Sequence, residues 1–181
     1  MARVAINGFG RIGRGFLRSA YGRPDIEIVA VNDLTSPENL AYLLKYDTVY
    51  RRAPFEVGSA EKALIVAGKT IPVLAERDPA KLPWRDMNVD IVVESTGFFT
   101  DAAKAHAHID AGAKRVVISA PAKGEGARTI LIGANEDQFQ GCEISSNASC
   151  TTNAANPLIG ILDEAIGIER ALLNTTHAYT A

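Results

Sequence analysis

The chain has few cysteines and no large excess of charge of either sign. Its two cysteines, Cys142 and Cys150, stand eight positions apart without a C-x-x-C spacing. A disulfide framework or a zinc site is therefore not expected, and no metal ligand is assigned. Unpaired thiols are typical of a reducing compartment, so we expect a cytoplasmic protein.

Two classes of partner are disfavoured by what the composition lacks. The 19 Lys and Arg residues are balanced by 21 Asp and Glu residues, for a net charge of −2. Nucleic-acid binding usually needs a basic face, so no nucleic acid is expected as partner. No apolar run approaches the roughly 18 residues of a spanning helix, and the first ten residues lack a signal-peptide pattern. No membrane partner is expected.

Short apolar runs alternate with helical patterns along most of the chain. Strands separated by helices predict βαβ units, and hence an α/β fold with a mostly parallel sheet. Residues 172–179 also have a β-rich composition. Strands are predicted at 4–6, 26–31, 63–66, 69–74 (a hairpin with the preceding strand), 90–94, 116–118 and 129–132. Helices are predicted at 11–21, 36–45, 101–111 and 149–166.

A G-x-G-x-x-G motif, formed by Gly8, Gly10 and Gly13, follows the first strand and opens the first helix. Gly8 permits a tight turn, Gly10 lets the backbone approach a pyrophosphate, and Gly13 lets the helix pack closely on the strand. The helix N-terminus offers free N–H groups to the anion. The alternative is a turn without a ligand, which the position in a βαβ unit disfavours. The motif predicts a Rossmann-type, doubly wound dinucleotide-binding domain.

Polar residues at the ends of later strands are candidates for the same ligand. Asp33 lies about 20 residues beyond the glycines, where an acid binds the adenosine ribose and repels a 2′-phosphate. It favours NAD over NADP, with a role in a cap or Asx turn as the alternative. Thr96, Gly97 and Ser119 fall at the carboxyl edge of the predicted sheet, where ligands bind, although each also suits an ordinary turn.

Cys150 stands among capping residues at the start of a predicted helix. The positive end of the helix dipole lowers the pKa of a thiol there, so we expect a reactive thiolate. Cys142 is interpreted as structural. His177 is the candidate base for the thiol, although a lone histidine on a strand is more often structural. His106 and His108 lie two apart on one helix, cannot form a helical metal pair, and are expected to be solvated.

These residues lie in motifs that resemble the N-terminal part of the phosphorylating glyceraldehyde-3-phosphate dehydrogenases. The ordered set is far more specific than any one motif and extends over nearly the whole chain. The resembling segments are INGFGRIGR (6–14), NDLTSPENLAYLLKYDTV (32–49), ESTGFFT (94–100), ISAPAKGEGARTILIGAN (118–135), SNASCTTN (146–153) and THAYTA (176–181).

The resemblance implies a role for each candidate. Cys150 would be the nucleophile and His177 the residue that activates it, with NAD as cofactor. Arg11 and Ile12 would contact the pyrophosphate, and Ser119 would lie near the nicotinamide. Asp33 would bind the adenosine ribose, with Arg77 as a further cofactor contact. Substrate and phosphate contacts would be Ser149, Thr151 and Thr180.

The implied reaction is NAD-dependent oxidation of glyceraldehyde 3-phosphate, with inorganic phosphate, to 1,3-bisphosphoglycerate through a Cys150 thioester in glycolysis. The full-length family is homotetrameric. Residues 1–149 would form the NAD-binding Rossmann domain, and residues 150–181 would begin an α+β catalytic domain that is incomplete here. The chain alone is therefore expected to be inactive. Alternatives are erythrose-4-phosphate dehydrogenase and a non-catalytic NAD-binding fragment. Semialdehyde dehydrogenases typically prefer NADP, which Asp33 disfavours.

Overall fold

The computed structural model describes residues 1–178 as an alternation of strands and helices. The strands are β1 (Ala2–Asn7), β2 (Ile26–Asn32), β3 (Tyr46–Asp47), β4 (Arg51–Arg52), β5 (Val57–Ala60), β6 (Ala63–Val66), β7 (Lys69–Leu74), β8 (Ile91–Glu94), β9 (Arg115–Ile118), β10 (Arg128–Thr129) and β11 (Ile144–Ser146). The helices are α1 (Arg11–Ala20), α2 (Pro37–Lys45), α3 (Ala102–Ala105), α4 (Ala107–Asp110) and α5 (Cys150–Ile166), with 3₁₀ turns at Pro79–Lys81 and Glu136–Phe139.

Nine strands form one sheet in the order β10-β11-β9-β8-β1-β2-β7-β6-β5. Neighbours from β10 to β7 run parallel, whereas β7, β6 and β5 are antiparallel. From β1 the chain builds outward through β2 on one side and through β8 on the other, which puts the topological switch point between β1 and β8. The predicted doubly wound, mostly parallel sheet and its β6–β7 hairpin are confirmed.

Both faces of the sheet are covered by packed side chains. Successive side chains of a strand point to opposite faces, so neighbours on one strand join different clusters. On β1, Ala5 packs in a cluster with Trp84 and Val92, whereas its neighbour Ile6 packs in a second cluster with Leu17 of α1. Burial on both faces explains why the central strands are continuous apolar runs. The carboxyl edge of the sheet is left as the surface where polar residues gather.

Local capping explains where the helices begin. The Ser36 hydroxyl accepts a hydrogen bond from the Asn39 N–H, and Pro37 occupies the first position of α2. Ser149 likewise accepts a hydrogen bond from the Thr152 N–H at the start of α5, and Gly167, with a φ of +74°, caps the other end of that helix. The predicted helix following Ser149 is confirmed.

Three expectations about secondary structure are wrong. The helix predicted at 101–111 is divided into α3 and α4 at His106, where the Ile109 N–H bonds to the His106 carbonyl (i+3) rather than to the Ala105 carbonyl (i+4). The strand predicted at 129–132 is reduced to β10. Residues 172–178 form no regular element, since no strand among residues 1–178 pairs with them.

Helix α5 has an exposed apolar surface. None of its side chains is buried by residues 1–178, and Leu158, Ile161 and Ile166 are 59%, 64% and 79% exposed. Among the described residues, no helix combines the length and the apolar character that a membrane crossing requires.

Candidate active site

The three motif glycines meet different surroundings at the β1–α1 turn. Gly8 has a φ of +89°, and a Cβ built there would lie 2.6 Å from the Thr96 backbone nitrogen. A Cβ on Gly13 would lie 2.2 Å from the Gly8 carbonyl oxygen. Gly10 faces open space, with nothing within 4 Å of its Cβ position. Gly8 and Gly13 are thus required by close packing, whereas Gly10 keeps a surface free for a ligand.

Asp33 links this turn to the end of β2. Its Oδ2 accepts a hydrogen bond from the Phe9 N–H at 2.7 Å, and its Oδ1 accepts one from the Thr35 N–H at 2.9 Å. The second bond is the Asx turn considered as an alternative to ligand binding. The two roles are compatible, because each carboxylate oxygen has a further lone pair available to a ribose hydroxyl.

A cleft of about 600 Å³ lies over the carboxyl ends of β1, β2 and β8, at the topological switch point. Five of the predicted cofactor residues line it: Gly8, Gly10, Asp33, Arg77 and Thr96. Its other lining residues include Asn7, Asn32, Leu34, Glu76, Ser95, Phe98 and Phe99, which the sequence analysis missed. Asn7 and Asn32 could have been found, since each ends a strand beside a candidate.

The remaining predicted cofactor residues lie outside that lining. Arg11 and Ile12 are exposed on the first turn of α1 and border a neighbouring hollow. Gly13 is buried beneath the turn, and Gly97 adopts a φ of +80° beside the cleft. Ser119 follows β9, where its N–H donates to the Glu94 carbonyl oxygen. Although these residues do not line the cleft, each lies in a segment that follows the carboxyl end of a parallel strand.

The two predicted catalytic residues are in contact. Cys150 is exposed on the first turn of α5, and its Sγ lies 3.1 Å from Nε2 of His177. The hydrogen bond from His177 lowers the pKa of the Cys150 thiol, and the Thr151 N–H and hydroxyl act in the same direction. A thiolate is thereby favoured at a helix N-terminus, where the dipole also stabilises negative charge.

His177 is oriented through its other ring nitrogen. Nδ1 lies 2.8 Å from the Ala178 carbonyl oxygen and donates to it, which directs Nε2 toward Cys150. This bond and the contact with the thiol raise the pKa of His177. The two opposite shifts favour a thiolate–imidazolium pair, which supplies a nucleophile and a proton-transfer group side by side.

The turn before Cys150 is held in an unusual conformation. Ala148 has a φ of +55°, in the left-handed region that a residue with a Cβ rarely adopts. The buried Ser146 hydroxyl accepts hydrogen bonds from the Ala148 and Ala122 N–H groups and donates to the Ala120 carbonyl oxygen. Asn153 closes the turn from the helix side by donating to the Asn147 and Ser149 carbonyls.

The predicted substrate residues adjoin the thiol where they are described. Ser149 caps α5, with its Oγ 2.8 Å from Oγ1 of Thr152, and Thr151 is half-buried on the first turn. Thr180 lies outside the described residues. Within residues 1–178, no cluster of three or more His, Cys, Asp or Glu side chains is arranged to hold a metal ion.

One histidine contradicts the expectation of solvation. His106 is exposed, but His108 is fully buried, with Nε2 3.0 Å from Oε2 of Glu94 and Nδ1 2.9 Å from Nε1 of Trp84. Burial is possible because both ring nitrogens have partners. Cys142 is buried with its Sγ 3.0 Å from the Ile144 carbonyl oxygen, which agrees with the structural role expected for it.

The fold and this arrangement define a class: a dinucleotide-binding α/β protein with an exposed, imidazole-paired thiol beyond the sheet edge. Family models refine it. Residues 2–102 match the model "Glyceraldehyde 3-phosphate dehydrogenase, NAD binding domain", and residues 149–181 match its C-terminal domain model. The chain belongs to the glyceraldehyde-3-phosphate dehydrogenase family, whose cofactor is NAD, as the resemblance implied.

Curated relatives agree with the family assignment. Glyceraldehyde-3-phosphate dehydrogenase of Thermotoga maritima is 56% identical over 183 residues, covering 99% of this chain and 55% of the relative. Glyceraldehyde-3-phosphate dehydrogenase 1 of Bacillus subtilis is 52% identical over 180 residues, covering 98% of this chain and 53% of the relative. The chain thus spans about half the length of the curated relatives it matches.

Proposed function

We propose that this chain supplies the NAD site and the nucleophilic thiol of a phosphorylating glyceraldehyde-3-phosphate dehydrogenase. The substrates would be glyceraldehyde 3-phosphate, NAD and inorganic phosphate, and the product 1,3-bisphosphoglycerate. The observation that carries the proposal is the 3.1 Å contact between Cys150 Sγ and His177 Nε2 at the start of α5. The triose substrate is favoured over the tetrose because the relatives compared above are named for it.

The proposed chemistry begins with the Cys150 thiolate, which attacks the aldehyde carbon and forms an S–C bond. His177 first donates its Nε2 proton to the developing oxyanion and then takes back the hydroxyl proton as the hemithioacetal is oxidised. NAD, when bound, supplies the acceptor for the hydride. The N–H groups of the first turn of α5 stabilise the oxyanion. Inorganic phosphate then displaces Cys150 from the thioester.

The cofactor would lie along the carboxyl edge of the sheet. Asp33 and Arg77 would hold the adenosine end, beside Thr96 and Gly97, and Ser119 would lie on the nicotinamide side. The pyrophosphate would lie over the β1–α1 turn, whose proposed contacts are Gly8, Gly10, Arg11, Ile12 and Gly13. Ser149, Thr151 and Thr180 would contact the substrate and phosphate.

The same proposal includes the organisation of the protein. Residues 1–149 would form the NAD-binding domain and residues 150–181 would begin the catalytic domain. Assembly as a homotetramer and a cytoplasmic location are proposed with it, since a reactive thiolate needs a reducing compartment. Size-exclusion chromatography with light scattering measures the oligomeric state.

Acetyl phosphate tests the thiol chemistry, because it reproduces the phosphorolysis step in reverse. Cys150 Sγ attacks the acyl carbon and forms the S–C bond, while inorganic phosphate leaves with the electron pair of the broken C–O bond. We expect one acetyl group per chain, located on Cys150 by peptide mapping. Cys142→Ser should remain acetylated and Cys150→Ser should not. Equal labelling of both cysteines, or none on Cys150 in a chain that binds NAD, would favour the non-catalytic alternative.

A further inference from the structure

Beneath the cleft lies a network of buried polar side chains that the proposed chemistry does not use. Glu94 ends β8, Asn7 ends β1 and Asn32 ends β2, and their exposed fractions are 2%, 1% and 5%. Trp84 and His108 extend this network away from the cleft, and both are fully buried. Burying this much polarity is costly unless each group is paired, so the arrangement of its hydrogen bonds is informative.

The directions of the two His108 bonds follow from Trp84. An indole Nε1–H can only donate, so Nδ1 of His108 must accept at 2.9 Å and the imidazole proton must sit on Nε2. Nε2–H then donates to Oε2 of Glu94 at 3.0 Å. His108 is thus a neutral imidazole in one defined tautomer, with its donor directed at the carboxylate.

Glu94 receives donors on both oxygens. The Asn7 Nδ2 group donates to Oε2 at 2.6 Å, alongside His108. The Thr96 N–H donates to Oε1 at 2.8 Å, and the Thr96 hydroxyl donates to the same oxygen. An ionised carboxylate accepts all of these bonds, and charge-assisted bonds of this kind are the stronger ones. Thr96 Oγ1 in turn accepts from the Phe98 N–H at 3.1 Å, so Glu94 holds the turn at residues 95–98.

The network also extends to the opposite side of the cleft. Because Asn7 donates to Glu94, its Oδ1 is free to accept from Asn32 Nδ2 at 2.7 Å. Asn32 then forms two bonds with the Glu76 backbone, to the carbonyl oxygen at 2.8 Å and from the N–H at 2.9 Å. Glu76 precedes Arg77, and both line the cleft opposite Thr96 and Phe98.

We propose that Glu94 is a positioning residue for the adenosine half of the dinucleotide. One buried carboxylate holds both walls of the adenosine pocket, Thr96–Phe98 directly and Glu76–Arg77 through Asn7 and Asn32. This inference rests on the proposed NAD site. Glu94→Gln keeps the shape but replaces one acceptor with an NH₂ group. That NH₂ group is a donor and would face other donors, either the Thr96 N–H or those of Asn7 and His108. The hydrogen bonds that hold one wall of the pocket would therefore be lost.

The test uses calorimetric titration of the 181-residue chain with NAD and with ADP-ribose, which lacks the nicotinamide. Glu94→Gln should raise the Kd of both ligands by about tenfold or more, and by the same factor. Val92→Ala, a buried apolar change on the same strand, is the control for lost stability. It should change either Kd less than twofold at a comparable loss of melting temperature.

His108 supplies a second, independent pair of variants, because it does not line the cleft. His108→Gln keeps one donor and one acceptor and should retain nearly normal binding, whereas His108→Leu removes the donor to Glu94 and should weaken ADP-ribose binding several-fold. This pair decides the question if Glu94→Gln does not fold. Long-range ¹H–¹⁵N spectra of the ring should show the Nε2–H tautomer for His108.

The outcomes separate the two proposals. An unsubstituted chain that binds neither NAD nor ADP-ribose overturns the proposed function and this inference with it. Normal binding by a folded Glu94→Gln variant, or equal losses in Val92→Ala, leaves the NAD site intact and overturns the positioning role alone. An Nδ1–H tautomer for His108 also overturns the proposal, because it contradicts the bond directions on which Glu94 depends.

Discussion

Three glycines within six residues allow packing and ligand approach to be tested separately. Gly13→Ala places a methyl group 2.2 Å from the Gly8 carbonyl oxygen and 3.0 Å from Cγ2 of Ile6. Gly10→Ala and Gly15→Ala place theirs in open space, with nothing within 4 Å. Neither Gly10 nor Gly15 has a positive φ, so alanine introduces no backbone strain there.

The expected stabilities differ in sign. Overpacking at Gly13 should cost about 1–3 kcal/mol, or more if the backbone of the turn cannot move. Gly15→Ala should stabilise α1 by about 0.5–1 kcal/mol, because alanine is the better helix former. Gly10→Ala should stay within about 0.5 kcal/mol of the parent. For a chain of this size, 1 kcal/mol shifts the melting temperature by about 2–4 °C.

Ligand binding should follow a different order. Gly10→Ala should raise the Kd of NAD by about tenfold, or about 1.4 kcal/mol, because its methyl group occupies the surface that the pyrophosphate approaches. Gly15→Ala should bind NAD normally. Calorimetry and thermal unfolding of the three variants measure both quantities. Normal NAD binding by Gly10→Ala, or an unchanged melting temperature for Gly13→Ala, would refute the roles assigned to these glycines.

Three further expectations concern the thiol, the cofactor and turnover. The His177 hydrogen bond lowers the pKa of Cys150, so the Cys150 thiolate persists to lower pH. Iodoacetamide at pH 7 should therefore label Cys150 before Cys142, and His177→Asn should shift the midpoint of Cys150 alkylation to higher pH. Labelling of Cys142 first would contradict this. NAD should bind more tightly than NADP because Asp33 repels a 2′-phosphate, and Asp33→Ser should narrow the difference; equal affinities in the parent chain would argue against the assignment. The 181-residue chain alone should give no phosphate-dependent NADH absorbance from glyceraldehyde 3-phosphate, because correct positioning of the substrate lowers the barrier of such reactions by several kcal/mol. Turnover that Cys150→Ser abolishes would show that this chain is sufficient for the reaction.

Features set by near neighbours in sequence could be predicted. The parallel strands follow from short apolar runs, and the helix after Ser149 follows from its capping residues, so both were found. The contact between Cys150 and His177 joins residues 27 apart, and it was indicated only by their residue types and by the family resemblance.

Features set by distant partners could not be predicted. His108 was expected at the surface, because its hydrogen-bond partners Trp84 and Glu94 are 24 and 14 positions away in sequence. The β-rich composition of residues 172–179 likewise predicted a strand, of which residue 179 lies outside the described residues, yet strand formation depends on a neighbouring edge to pair with. Composition alone does not report whether that edge is present.

The three hydrogen bonds of Ser146 have a consequence for any motion within the protein. They join the turn before Cys150 to residues 120–122, which follow Ser119 at the carboxyl edge of the sheet. The turn that carries the nucleophile is thus attached to the proposed NAD-binding domain, because all three bonds lie within residues 1–149. Any motion that moved Cys150 away from the carboxyl edge of the sheet would have to break these bonds, so the distance between the thiol and the proposed nicotinamide site is set by the first domain.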